Sequence, residues 1–548
     1  MKGAGAIGTL GARGLFSVVF LVLFPALPLQ AQSRLTKAQA REDLRYLFSV
    51  LEETHPDPFS AFGGRVNFMA RAAALLEAVP ETGMTAAELY DIVRPLFGDL
   101  GDGHTYINAP LRTSSSGPAR RLPVRFGIAM DAVFVESAFP PHDELIGYRV
   151  LGVQGVPIQQ AAQSAANVFP AENRFGAIRW LLRFLGSDRG ARRVFPEVRD
   201  SLRLDLAGPD GERLETYLPF SLRAGGSRAA GWVSSSWELI EDGLGPFHWQ
   251  ILGDANVGYL RVSSIQGREA FEELKAVGRK DLSEQLASYY ERFVSDSMPA
   301  TLDEALEGVP CFTHAVRDVL TSMRDMGSDH LILDLRGNGG GWSSLITPFL
   351  ILAYGDRYLG YDYPVRFATR ISPSYLELNG LTLSQLNAQL GSDFELGEFR
   401  FAEEESIASR MSIDEYANEV VPYACGLADL IRSLKGAPIY SPTLYVLVDP
   451  ATFSAAYHFV YRVWHLGAKV VGVPSSQAGN AFVDVTPFDL PNSKLRGSIA
   501  RTAQTLFPGA EGRVMIPDFP MTWREFAAYR FDEHAEVRFG LDVIRRGH

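Results

Sequence analysis

The sequence predicts an α/β protein with a helical N-terminal part and a β-rich middle. Short continuous apolar runs, Leu331-Ile332-Leu333 and Tyr445-Val446-Leu447-Val448, alternate with helix-length stretches in the second half. Strands buried on both faces of an α/β sheet read this way. Apolar residues recur at helical spacing between positions 37 and 97, whereas from 120 to 250 the runs are short, alternating or β-branched and punctuated by glycine. The chain has 548 residues, 46% of them hydrophobic and 21% charged. At ~150 residues per domain that predicts three or four domains and excludes wholesale disorder. Lys and Arg number 52 against 64 Asp and Glu, a net charge of −12. A phosphate backbone is repelled by such a surface, so a nucleic-acid partner is not expected.

Taken in order, residues 1–31 read as a cleaved signal peptide. Lys2 and Arg13 precede an apolar run from Leu15 to Phe24, and Leu29-Gln30-Ala31-Gln32 supplies a small-residue site with cleavage after Ala31. The run is shorter than the ~20 residues a spanning helix needs, so no membrane span is expected after cleavage. The remaining 517 residues carry a net charge of −14 and are expected in the periplasm or outside the cell. In such a compartment the only two cysteines, Cys311 and Cys425, are permitted to pair.

Residues 32–115 are predicted as a helical subdomain with helices at Lys37–Leu51, Val66–Val79 and Thr85–Phe97. His55-Pro56-Asp57-Pro58 breaks the first, and Thr85 with Glu88 forms a capping box for the third. Ser114 to Pro118 reads as a loop, and residues 116–250 as a small β-rich module with strands in Val124–Ala138 and Leu145–Ile158. Residues 251–548 form the α/β core, with strands at 258–262, 331–335, 445–448 and 469–473. Two stretches, about 265–325 and 355–437, read as insertions, the second irregular.

Two strand ends carry candidate chemistry. Asp334-Leu335-Arg336-Gly337-Asn338-Gly339-Gly340-Gly341 bares backbone N–H groups, the material of an oxyanion pocket, and no Gly-Lys-Ser/Thr follows to make it a phosphate loop. Asp449 to Ala456 runs from strand to turn to helix, and puts Ser454 in the positive field of a helix N-terminus, which suits a nucleophile. A serine there also serves simply as an N-cap. A nucleophilic serine needs a base. His104, on the Gly101-Asp102-Gly103-His104 loop, is the first candidate, and His458, one helical turn after Ser454, is its local rival. No Gly-x-Ser-x-Gly elbow surrounds Ser454 and no His-Glu-x-x-His zinc pair occurs, so neither metal nor cofactor is expected.

Leu96 to Thr105, Gly258 to Arg261, Leu331 to Gly341, Tyr445 to Ala456 and Lys469 to Gly472, with Pro517-Asp518 and Gly540-Leu541-Asp542, resemble in order the blocks of the tail-specific protease family, also called C-terminal processing peptidases. The resemblance spans about 40–545 with long unmatched insertions, and implies a crotonase/Clp-protease-like spiral core. It implies Ser454 as nucleophile, and an oxyanion hole from the backbone N–H groups of Ala455 and a loop glycine, Gly340. Processing members use a Lys about 25 residues after the Ser, yet Ser475 to Ala481 contains none. The tricorn-core-like branch uses a His from the helical subdomain, and His104 falls on that motif. There the preceding residue is a Ser held by a distant Glu, whereas here it is Gly103, so the acid that orients His104 stays open among Glu511, Asp102 and Asp518. Leu145–Ile158 looks like half of a PDZ-like module, the alternative being a small structural β domain. The resemblance implies an exported serine-type peptidase acting on polypeptides or peptides. The alternative is a catalytically silent relative that binds an apolar ligand or a protein partner in the same cleft.

Overall fold

The computed structural model describes residues 34–110, 119–222, 245–253, 255–276, 278–279, 281–403, 406–419, 425–510 and 512–547. The expected signal peptide, the 114–118 loop and Glu511 lie outside the described residues. Three helices open the fold: α1 (Lys37–Thr54), α2 (Arg65–Glu77) and α3 (Ala86–Leu100). Thr36 with Gln39 and Thr85 with Glu88 form capping boxes at the starts of α1 and α3, each satisfying two backbone donors that a helix start leaves bare. The chain turns at His55, whose backbone is extended as a residue before proline must be. α3 ends at Gly101, where a φ of +65° needs no Cβ and releases the chain into Asp102-Gly103-His104. Ala40, Leu44, Leu47 and Leu51 of α1 and Leu89, Val93 and Leu96 of α3 face one core, which also takes in Phe488, Leu495 and Ile499 from the far end of the sequence.

After β1 (Tyr106–Ile107), residues 119–222 form a module around a five-stranded antiparallel sheet: β2 (Val124–Ile128), β3 (Val133–Ala138), β4 (Arg149–Val153), β5 (Ser201–Ala207) and β6 (Arg213–Pro219), paired in that order. Val156–Pro157 folds back onto β4. Helices α4 (Ile158–Ala166) and α5 (Arg174–Leu185) lie within the stretch expected to be β-rich, and pack Ala161, Ala165, Leu181 and Leu185 on the sheet.

The core sheet contains β7 (Phe247–Leu252), β8 (Val257–Val262), β9 (His330–Asp334), β12 (Thr443–Val448), β13 (Lys469–Gly472) and β16 (Phe519–Pro520). Its order is β16-β13-β12-β9-β8-β7, parallel except for the antiparallel edge strand β7. Leu331, Ile332 and Leu333 are fully buried because helices cover both faces. Each such side chain contributes about 1.5–3 kcal/mol. On one face lie α6 (Phe312–Met326), Thr347–Tyr354 and α7 (Ala455–His465), and on the other α8 (Ala535–Arg545). A second, antiparallel sheet joins β1, β15 (Arg496–Thr505), β10 (Arg366–Arg370) and β11 (Phe399–Glu403), with β14 (Asn480–Asp489) along the other side of β15. The β1–β15 pairing brings the helical subdomain onto the core.

Two expected boundaries move, and one stretch expected to be irregular carries regular elements. The module cannot extend to 250, since β7 starts at Phe247 and completes the core sheet. The first insertion stops short of 325, because α6 is the crossover between β8 and β9 and buries Val316, Val319, Leu320 and Met323 in the core. The 355–437 stretch is ordered where described: β10 and β11 extend the second sheet, and short helices surround them.

Candidate active site

Ser454 closes a turn between β12 and α7. Asp449 organises that turn, its Oδ1 accepting the N–H groups of Gly337, Ala451 and Thr452, each at 3.0 Å. One carboxylate oxygen thereby joins the glycine loop to the serine's turn. Phe453 N–H adds a second tie to Asn338 O at 2.9 Å. Ser454 occupies the N-cap position of α7, yet its side chain caps nothing, and its backbone sits at φ +55°, ψ −126°. A residue with a Cβ is strained there, and strain of this kind marks functional turns. The expected strand, turn and helix form around Ser454 without a Gly-x-Ser-x-Gly signature. Gln477 Oε1 accepts the Ser454 N–H. Gly340 lies against the turn so closely that a Cβ there would stand 2.7 Å from Phe453 O and from Ser454 Cβ.

His104 comes from the loop after α3 and is buried. Its neighbour Thr105 is fixed by the core, Oγ1 accepting the Ala500 N–H of β15 at 2.9 Å. The imidazole lies against the Phe453 ring, centroids 4.8 Å apart and planes 27° from parallel, so it stands beside the residue that precedes the serine. Neither Nδ1 nor Nε2 has a hydrogen-bond partner among the described residues. Nδ1 is 3.6 Å from Glu172 Oε1 and 4.0 Å from Asp102 Oδ1. Burial alone would push this imidazole down, but the Glu172 carboxylate, helped by Asp102 and Asp484, outweighs it and holds His104 above its ordinary value.

Glu172, the carboxylate nearest to His104 Nδ1, was not named by the sequence reading. It stands on the connection between α4 and α5, where Oε1 accepts the Gly103 N–H at 3.2 Å and Oε2 the Ala478 N–H at 2.8 Å. Beside it Asn173 caps α5 and donates to Ser475 O at 3.0 Å. The module is thus pinned to the loop that also holds the Ser454 amide. The one sequence hint was Gly103: a Cβ there would meet Glu172 Oε1 at 2.9 Å and the Phe453 ring at 2.8 Å, so the absent side chain makes room for a carboxylate from elsewhere.

The other named residues fall as follows. Asp102 is turned the other way: Oδ1 accepts the His104 N–H at 2.9 Å and Oδ2 lies 3.4 Å from His55 Nε2. His55 Nδ1 accepts the Asp57 N–H at 3.1 Å. Asp518 is remote in role, accepting the Val470 N–H at 2.8 Å. Ala455 N–H, at the first turn of α7, has no partner among the described residues, as an oxyanion donor requires. Gly340 departs from expectation because its N–H is given to the buried Asn338 Oδ1 at 2.9 Å. His458 is no rival base: Nδ1 faces Ser343 Oγ at 3.2 Å, and burial, with Arg462 nearby, pushes it down to about 4. Cys311 and Cys425 are joined in a disulfide. Asp102, His104 and Glu172 cluster closely enough to hold a cation, but their carboxylates already accept backbone N–H groups. Among the described residues no helix is long and apolar enough to cross a membrane.

Residues 308–504 match the model of peptidase family S41. The fold is similar to that of mature CPAF, at 15% identity and a TM-score of 0.54 over 93% of this chain and 99% of that one. It is also similar to mature CPAF complexed with lactacystin, at 15% identity and a TM-score of 0.51 over 92% and 99%. The photosystem II D1 C-terminal processing protease aligns at 12% identity with a TM-score of 0.40, over 91% of this chain and 96% of that one. No curated protein matches the sequence.

Proposed function

We propose, from the match of residues 308–504 to the model of peptidase family S41, that this chain is an exported serine peptidase that cleaves polypeptides or peptides through an acyl-enzyme on Ser454. The observation that carries the reading is the turn at Ser454. Its hydroxyl is spared from capping, on a strained backbone, and the preceding Phe453 ring lies against a histidine whose Nδ1 stands 3.6 Å from a buried carboxylate.

His104 Nε2 takes the Ser454 proton as Oγ attacks the peptide carbonyl, then returns it to the leaving amine. A water activated by the same nitrogen releases the acyl group. Glu172, proposed as the orienting acid in place of Asp102 or Glu511, fixes the Nδ1–H tautomer and steadies the imidazolium. The proton transfer requires Nε2 and Oγ to come within about 2.6–3.2 Å of each other. Ala455 N–H is one oxyanion donor. With the Gly340 N–H committed to Asn338, the neighbouring Gly341 N–H, which has no partner among the described residues, is the loop's open donor. Each such donor is worth on the order of 3 kcal/mol in the transition state.

A fluorophosphonate probe tests the reading. Wild type should be labelled on Ser454 and Ser454→Ala should not, and equal labelling of the two removes the acyl-enzyme. Export is tested apart from the chemistry, by an N-terminal sequence beginning at Gln32 in the secreted protein.

A further inference from the structure

The Cys311–Cys425 disulfide has a third member that the peptidase chemistry does not use. His314 lies one helical turn after Cys311, which is the N-cap residue of α6. One ring nitrogen of His314 and both sulfur atoms lie within 4.8 Å of one another. His314 is exposed and Cys425 half-buried. They line a surface cavity of about 520 Å³ together with Thr313, Arg317 and Asp429. Ligands of a tetrahedral zinc ion stand about 3.3–3.8 Å apart, given bonds of 2.0–2.3 Å. On reduction the two sulfur atoms part from bonding distance, and a rotamer change of the exposed imidazole brings its nitrogen into that range.

We propose that, when the disulfide is reduced, Cys311, His314 and Cys425 form a binding site for a thiophilic divalent cation, zinc above all, with the fourth position open to the cavity. Two thiolates and an imidazole suit Zn²⁺ and disfavour Mg²⁺ or Ca²⁺. Solvent takes the fourth position because Asp429 is held by Arg432 at 2.7 Å. The Arg317 charge beside the site is countered by Asp318, whose Oδ1 accepts from Arg317 Nε at 2.8 Å. The same two sulfur atoms therefore tie Cys425, at the foot of Leu427–Leu434, to the start of α6 in either redox state: by a covalent bond when oxidised, through the metal when reduced.

Reduction by a phosphine balances the step. The phosphine is oxidised to its oxide with the oxygen of one water, the S–S bond breaks, and two thiols form. Each thiol releases its proton as Zn²⁺ binds. The test is a Zn²⁺ titration of the full chain against a chromophoric chelator, before and after phosphine treatment, with circular dichroism to follow the fold. The reduced chain should take up one equivalent that the oxidised chain does not, and bound zinc should protect both thiols from alkylation. His314→Ala, which keeps the disulfide and so folds as wild type when oxidised, should bind zinc at least tenfold more weakly once reduced. Equal affinity of His314→Ala and wild type, or no zinc-dependent thiol protection, overturns the proposal. So does loss of the fold on reduction that zinc does not restore. None of these readouts depends on peptidase activity.

Discussion

At Glu172 a single carboxylate reaches His104 Nδ1 across 3.6 Å while its two oxygens also accept the N–H groups of Gly103 and Ala478. Glu172→Gln keeps the shape and removes the charge, so kcat/KM at neutral pH should fall on the order of 10²–10⁴-fold. The pH profile carries the sign. His104 must be neutral to act as a base, and its value is raised, so kcat/KM should climb with pH through a midpoint above that of an ordinary imidazole. In Glu172→Gln the midpoint should drop. A midpoint unmoved by the substitution would mean that the carboxylate does not act through His104. Gly340→Ala probes the other side of the nucleophile. Its Cβ would collide with Phe453 O and Ser454 Cβ, so the variant should lose activity and about 1–3 kcal/mol of stability, measured by urea unfolding. The turn at Ser454 and the loop at His104 were legible because each lies at the end of a recognisable element. Glu172 was not, since Pro170-Ala171-Glu172-Asn173 carries no motif and the contact exists only once the module docks.

Elements were legible in proportion to how strongly one face was buried. α1 and α3 show their apolar stripes and caps plainly, and both form within a few residues of expectation. Thr85→Ala should cost about 1 kcal/mol by removing the capping box that starts α3, seen as a lower urea midpoint, while activity per folded molecule stays unchanged. β9 and β12 were legible as apolar runs because both of their faces are covered. β10 and β11 were not: each is five residues long, and β11 is an edge strand that leaves Phe401 78% exposed. Such a strand has no buried face to print an alternating pattern. α4 and α5 were hidden for a different reason. Arg174, Arg179 and Arg183 spread cations over a helix that reads as amphipathic only beside its sheet.

Across the whole molecule, the module meets the core through charges as well as the active-site clamp. Glu136, on β3, is raised to about 7, first by burial and then by Glu536 of α8, against the pull of Arg125 and Arg336. An acid raised in the folded state stays protonated there while the unfolded chain ionises. Stability should therefore fall as pH rises from 4.5 to about 7 and level off above. Glu136→Gln should flatten that slope in melting temperatures taken at pH 5 and 7.5. The disulfide closes a separation of 114 residues, for which chain entropy predicts about 4–5 kcal/mol. Comparing denaturant midpoints with and without reductant measures it.

The three site residues stand at 104, 172 and 454, and the strand that steadies the first of them, β15, comes later still. Chain order therefore acts as a safety catch. On the proposed mechanism, a polypeptide still being synthesised carries a histidine and a serine that have not yet met, and it cannot cut until β15 has emerged and paired.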